Sequence, residues 1–157
     1  MARWRSVISR HAAALAAAGA VSLLVATMPA SAVVPGSVSA KTPTRTTAGV
    51  LSGGGSFKNN ATITQSYTYV IQLLRTTTPA APSCAITGCV TGGTVTVLKT
   101  FPGSVSATRN QTVNLSTSHT CSASAVTRYY WTWLKVADTG GLVATSIAAR
   151  ALTGKFC

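Results

Sequence analysis

Acidic side chains are almost absent from this sequence. Asp138 is the single acidic residue among 157, whereas lysine and arginine together number 13, for a formal net charge of +12. Glycoside hydrolysis by the usual route needs two carboxyl groups beside the bond. An aspartic dyad and a calcium cage also need several carboxylates. The composition therefore argues against all three kinds of site.

Long apolar runs are also missing, with one exception at the N-terminus. Three arginines precede an apolar run over residues 12–26, and the small-residue site Ala30-Ser31-Ala32 follows it. This order is typical of a secretory signal peptide, and the run is shorter than the ~20 residues that span a bilayer. We predict a signal peptide over residues 1–32, with cleavage after Ala40 as a second option. The remainder is expected to be secreted without a transmembrane anchor, and the alanine-rich signal suggests a bacterial source.

The cysteines are few, and all four lie after the predicted cleavage site. In a short exported chain, four cysteines most often form two disulfides, and three pairings exist. The turn-sized insert Ala85-Ile86-Thr87-Gly88 favours a Cys84–Cys89 bond, which leaves Cys121–Cys157. A tetrathiolate zinc site is the alternative, but the sequence has no repeated C-x-x-C spacing. We predict two disulfides, no metal and no cofactor.

Residues 33–60 contain few large apolar side chains. They are rich in Ser, Thr, Gly, Pro and Ala and include the run Gly53-Gly54-Gly55. Such composition offers little apolar surface to offset the entropy of ordering a chain. We therefore predict a flexible arm or a propeptide here, with one short strand near Val50, and a folded domain over residues 61–157.

Within that domain the apolar residues recur with a period of two, which is typical of β-strands. The pattern runs through residues 61–74, 93–101, 112–116 and 129–136, and a Gly-containing turn after Asp138 leads into a further strand over 142–147. Residues 147–152 also suit a short helix, because alanine and arginine are good helix formers. The sequence predicts an all-β fold, a small antiparallel β-sandwich or barrel.

One stretch resembles strands B and C of an immunoglobulin-like domain. Thr112-Val113-Asn114-Leu115-Ser116 is followed by Cys121, and Trp133 comes twelve residues after that cysteine within an aromatic strand. In that family such a tryptophan packs on the disulfide. The resemblance covers about 25 residues of the chain, supports a sandwich and implies no function.

Few catalytic arrangements can be built from these residues. His119 and Asp138 could in principle join a serine in a hydrolytic triad, but no nucleophile-elbow motif accompanies them. A nucleophile made of Cys121 and His119 requires a free thiol. The triple glycine lacks the following Lys-Ser/Thr of a phosphate-binding loop. We expect a protein that is not an enzyme, with a hydrolase using His119 as the alternative.

Binding is the remaining class of function. After residue 32 the basic side chains are spread singly along the chain, and they outnumber the acidic ones by ten to one, a net charge of +9. Such a surface attracts anionic polymers at long range. We predict binding to anionic cell-envelope material or to a surface partner, with no base-specific recognition of nucleic acid. The candidate binding residues are Arg109, Arg128, Lys135, Arg150 and Tyr130.

Two other binding modes remain open. A secreted effector or inhibitor could act on a protein through the loop that Cys84 and Cys89 enclose, because the preceding segment is rich in threonine and proline. A sugar-stacking platform would need Trp131 and Trp133 exposed in a row with Tyr129, whereas a core role for that face is the simpler interpretation.

Overall fold

The computed structural model describes residues 35–46 and 49–157 of the chain, and this part is built from β-strands. The predicted signal peptide therefore lies outside the described residues. No helix in the described part is long and apolar enough to cross a membrane. The strands are β1 (Ser39–Arg45), β2 (Val50–Lys58), β3 (Gln65–Thr76), β4 (Val95–Ala107), β5 (Thr112–Thr120), β6 (Arg128–Asp138), β7 (Val143–Ile147) and β8 (Leu152–Gly154).

The strands form two antiparallel sheets. The small sheet has the order β1-β2-β5, and the large sheet has the order β4-β3-β6-β7, with β8 paired to the beginning of β6. The two sheets enclose a core of Phe57, Tyr67, Ile71, Leu115 and Leu134, among others. This confirms the prediction of an all-β fold with antiparallel sheets, and each of the five strand patterns found after residue 60 corresponds to a strand.

The prediction of a flexible arm over residues 33–60 is wrong for residues 39–45 and 50–58. These residues form β1 and β2, and β2 is the central strand of the small sheet. Leu51 and Phe57 of β2 are buried in the core. Between them, Gly53 and Gly55 let the sheets approach closely: a methyl group on Gly53 would meet the side chains of Leu73 and Thr132. The low apolar content of this strand reflects tight packing.

The short helix that residues 147–152 could form is not present in the structure. Residues 148–151 are not helical, and Leu152–Gly154 pairs with Arg128–Tyr130 as a short strand. Alanine and arginine favour a helix only weakly, and such preferences are readily overridden by tertiary pairing. The pairing brings the end of the chain to the beginning of β6.

A loop covers the outer face of the large sheet. Residues 77–94 connect β3 to β4 and carry the Cys84–Cys89 disulfide. Trp131 and Trp133 lie buried beneath this loop in a cluster that includes Leu74 and both of its cysteines. The side chain of Gln72 holds the loop in place: Cys89 N donates to Gln72 Oε1 at 2.7 Å, and Gln72 Nε2 donates to Cys89 O at 3.2 Å.

This arrangement departs from the local immunoglobulin-like resemblance. In immunoglobulin-like domains, the tryptophan of this strand packs against the disulfide formed by the preceding cysteine, which corresponds to Cys121 in this sequence. Instead, Trp133 packs with Cys84 and Cys89, on the face of the sheet that points away from the core. Because both tryptophans are 3% exposed, they do not form an exposed sugar-stacking platform.

Candidate functional site

The four cysteines pair as Cys84–Cys89 and Cys121–Cys157, as predicted. Their sulfur atoms are therefore not available as thiolates, and the alternative of a tetrathiolate zinc site is wrong. The second disulfide joins the segment after β5 to the segment after β8, at one end of the sandwich. At this end of the sandwich, residues 156–157 are bound to Tyr130, and several arginines and a lysine lie nearby.

Phe156 and Cys157 close this end of the sandwich by binding to Tyr130. The Tyr130 hydroxyl oxygen accepts hydrogen bonds from Phe156 N at 3.1 Å and Cys157 N at 2.8 Å, and it donates to Cys157 O at 3.4 Å. The rings of Tyr130 and Phe156 lie 5.4 Å apart. Tyr130 was predicted to bind a ligand, but it is completely buried. That prediction is wrong, because the Tyr130 hydroxyl instead binds Phe156 and Cys157, which we call the closing segment.

Two arginines contact the closing segment directly. Arg75 Nη1 donates a hydrogen bond of 2.7 Å to Cys157 O, and the Arg45 guanidinium lies 4.6 Å above the Phe156 ring. Such a cation–π contact contributes about 0.5–1 kcal/mol at an exposed site. Both guanidinium groups are thus positioned by the fold at the end of the sandwich.

Three further cations lie near these arginines. Arg128 pairs in register with Gly154, and Lys155 follows that glycine directly. The Arg150 carbonyl accepts a hydrogen bond from Thr42 of β1, which places the β7–β8 loop beside the small sheet. We call this set the cationic end; it comprises Arg45, Arg75, Arg128, Arg150 and Lys155. It holds half of the ten basic residues that follow residue 32.

The single side-chain carboxylate lies at the opposite end of the large sheet. Asp138 is eight residues beyond Tyr130 along β6, which corresponds to ~26 Å at the rise of a strand. It is 5% exposed, and its Oδ1 accepts a hydrogen bond from Leu142 N at 2.8 Å. Burial raises the pKa of the neighbouring Tyr67, and the charge of Asp138 adds to this effect. Because Asp138 lies so far from the cationic end, its negative charge does little to offset the positive charge there.

The structure brings together only some of the predicted binding residues. Arg128 and Arg150 belong to the cationic end. Arg109 is exposed in the β4–β5 turn at the end that carries Asp138, and Lys135 lies in the middle of β6, paired with Val70 and Thr145. Sequence reasoning missed the roles of Arg45 and Arg75 in this set, because only tertiary contacts show that they meet Phe156 and Cys157.

His119 is also at the cationic end. It pairs in register with Leu51, and its imidazole lies within 4.8 Å of both sulfur atoms of the Cys121–Cys157 disulfide. Because Leu51 clusters with Tyr130, the separation along β6 places His119 far from Asp138. A triad that uses these two residues is therefore not assembled in this fold.

Comparison with known proteins gives no family assignment. No family model matches the chain, and no curated protein matches it. Among solved structures, Bacteroides uniformis beta-glucuronidase 2 covalently bound to cyclophellitol-6-carboxylate aziridine is similar with a TM-score of 0.41 and 15% identity, over 68% of this chain and 11% of that chain. A calcium-binding mutant of the same enzyme gives a TM-score of 0.45 and 15% identity, over 73% and 12% of the two chains. The chain thus spans about a ninth of the length of those proteins.

Proposed function

We propose that this protein is secreted and binds anionic polymers of a cell envelope through the cationic end, without catalysing a reaction. The observation that carries the proposal is the gathering of five basic residues at one end of a sandwich whose single acidic side chain is buried at the other. The two disulfides fit an oxidising, extracellular environment.

The charge distribution supports an electrostatic mode of binding. A surface that is positive almost everywhere attracts polyanions at long range, and the field is strongest where cations are concentrated. At 0.15 M salt the Debye length is about 8 Å, so only cations near the bound polymer contribute strongly. The proposal therefore predicts that binding depends on position as well as on net charge.

Two triple variants with equal loss of charge test this prediction. The first removes three cations of the cationic end (Arg128→Gln, Arg150→Gln, Lys155→Gln), and the matched control removes three cations elsewhere (Lys58→Gln, Arg109→Gln, Lys135→Gln). A cation near an anionic surface contributes about 1 kcal/mol, so we expect the first triple to weaken polyphosphate binding by about 100-fold. We expect the control to change it less than fivefold. The measurement is the dissociation constant at 0.1 M salt.

Equal weakening by both triples would contradict the proposed site, since binding would then follow net charge alone. Retention of wild-type affinity by the first triple would contradict it as well. A thermal unfolding curve for each variant ensures that any loss of binding is compared between folded proteins.

A second candidate function is supported by the loop over the large sheet. Ile86 is 58% exposed and Val90 is 81% exposed, although the Cys84–Cys89 bond and Gln72 restrain the loop that carries them. Restrained apolar side chains at a loop surface suit a protein partner. This is the effector or inhibitor alternative, in which the loop docks on another protein.

Point variants test this candidate better than deletion of the loop, because deletion would uncover Trp131 and Trp133. We expect Ile86→Ser combined with Val90→Ser to abolish capture of a secreted or surface protein partner in a pull-down. Ile63→Ser is the control, since Ile63 is 64% exposed but lies outside the loop. Unchanged capture by the double variant would exclude the loop as the docking surface.

A further inference from the structure

Two adjoining depressions lie at the small sheet, one on its outer face and one at its β5 edge beside β4, and neither is lined by a residue of the cationic end. The first has a volume of about 290 Å³, and its floor is the glycine run of β2, flanked by Lys41 at one side and Asn114 at the other. The second has a volume of about 410 Å³ and is lined by Lys99, Phe101 and the hydroxyl-bearing residues 116–118. Ser52 and Ser116 line both depressions, so we treat them as one groove, here called the glycine groove.

The glycine groove arises from two features of the sequence. Gly54 occupies an outward position of β2, between Lys41 of β1 and Ser116 of β5. Because glycine has no side chain, the outer surface of the sheet is depressed at this point. The second depression lies where β4 of the large sheet comes close to β5 of the small sheet. Phe101 pairs with Ile71 and faces the core side of the large sheet, yet it is 38% exposed beside residues 116–118 of β5.

The lining suits a sugar chain. Hydroxyl and amide side chains such as Thr44, Ser116 and Asn114 can exchange hydrogen bonds with sugar hydroxyls, because each of these groups both donates and accepts. The exposed Phe101 ring offers an apolar surface on which the C–H face of a sugar ring can rest. A few polar groups around an accessible apolar surface are the usual composition of a ligand site.

The charges at the two ends of the groove indicate that the sugar chain is acidic. Lys41 stands at the β1 side and Lys99 at the β4 side, and both are exposed. Asp138 is the single acidic residue of the whole sequence and is buried. Neither ammonium group therefore has an acidic side chain as a partner, and both can pair with anionic groups on a ligand.

We propose that the glycine groove binds an oligosaccharide that carries anionic groups, with Lys41 and Lys99 pairing with two of these groups and Phe101 stacking on a sugar ring. The glycine groove shares no lining residue with the cationic end, although Thr42 of its lining contacts the Arg150 carbonyl. The proposal does not depend on the function proposed for the cationic end. Carboxylated and phosphorylated sugar chains share the required chemistry, and the test distinguishes between them.

The experiment measures binding of tetragalacturonate and of phosphorylated maltotetraose to the purified protein by calorimetry. We expect at least one of them to bind. Ser116→Phe places a ring where the two depressions meet and should weaken binding more than tenfold. Lys41→Gln combined with Lys99→Gln should weaken it about 25-fold, from about 1 kcal/mol for each cation. Ser104→Phe is the control, because Ser104 is exposed on β4 and lies outside the groove.

Three results would overturn the proposal. These are failure of both sugars to bind the wild-type protein, binding to Ser116→Phe within twofold of wild type, and binding of polyglutamate as tight as that of the sugars to the triple variant of the cationic end, since polyglutamate has charge but no sugar ring. The triple variant of the cationic end separates the two sites. It should bind the sugar as the wild type does, even if it loses polyphosphate, so failure of one site does not mean failure of the other.

Discussion

Replacing Asn59 with alanine is expected to lower the free energy of unfolding by about 3–5 kcal/mol. Asn59 directly follows β2 and is completely buried. Its side-chain amide accounts for five hydrogen bonds: Nδ2 donates to Ile63 O (3.1 Å), Ala107 O (2.8 Å) and Thr108 O (3.0 Å), and Oδ1 accepts from Ala61 N (2.8 Å) and the Tyr67 hydroxyl (2.6 Å).

The effect is large because truncation leaves partners buried and unpaired. Each buried polar group without a partner costs about 1–3 kcal/mol, and the Tyr67 hydroxyl is among those that Asn59→Ala would orphan. Asn60→Ala is the control, since the adjacent Asn60 is exposed. Urea unfolding of both variants measures the difference. A loss below 1 kcal/mol for Asn59→Ala would contradict the claim that the hydrogen bonds of this amide stabilise the fold.

Removing the Cys121–Cys157 disulfide is expected to lower stability by about 4 kcal/mol. The two cysteines are 36 residues apart in sequence, so the bond restricts a long loop of the unfolded chain. The Cys84–Cys89 bond encloses a separation of only five residues, for which the same chain-entropy relation gives about 2 kcal/mol. The variants are Cys121→Ser with Cys157→Ser, and Cys84→Ser with Cys89→Ser.

The Cys121–Cys157 bond should also matter more for polyphosphate binding than the Cys84–Cys89 bond. The Cys121–Cys157 bond fastens the segment that Arg45 and Arg75 contact, whereas the Cys84–Cys89 bond lies over the large sheet. We therefore expect the first pair of substitutions to weaken polyphosphate binding and the second pair to leave it unchanged. Neither pair alters the net charge. Equal stability losses, or the reverse order, would contradict this account of the two bonds.

The period-two pattern was sufficient to predict most of the strands. Residues such as Tyr67, Ile71 and Leu73 alternate with polar ones, and all three are buried on the face of β3 that meets the small sheet. The cysteine pairing also followed from spacing, because Cys84 and Cys89 flank a turn-sized insert. These features are local, and local patterns can be identified in a single sequence.

Strand β2 shows why the rest could not be predicted. Its glycines bury almost no apolar surface of their own, so composition indicated a flexible arm. Their importance comes from Leu73, Thr132 and Leu134, which occupy the space that a Cβ atom at Gly53 or Gly55 would need. Such complementarity involves residues far apart in sequence.

The candidate site was only partly foreseen for the same reason. A high net charge could be counted, but its concentration depends on how the strand ends come together. Arg45 and Arg75 are separated by 30 positions, and both reach the segment of Phe156 and Cys157. Tyr130 was assigned to a ligand-facing surface because alternation separates it from Trp131, yet a loop covers one face of that strand and a second sheet the other.

The most direct test of an electrostatic binding site at the cationic end is the salt dependence of polyphosphate binding by the wild-type protein and the first triple variant. The logarithm of the association constant should fall linearly with the logarithm of the salt concentration, with a slope of roughly one per ionic contact, as for other phosphate polymers. We predict that the triple variant lowers the magnitude of this slope by about two to three. An unchanged slope, or no binding by the wild-type protein even at 0.02 M salt, would contradict the central claim.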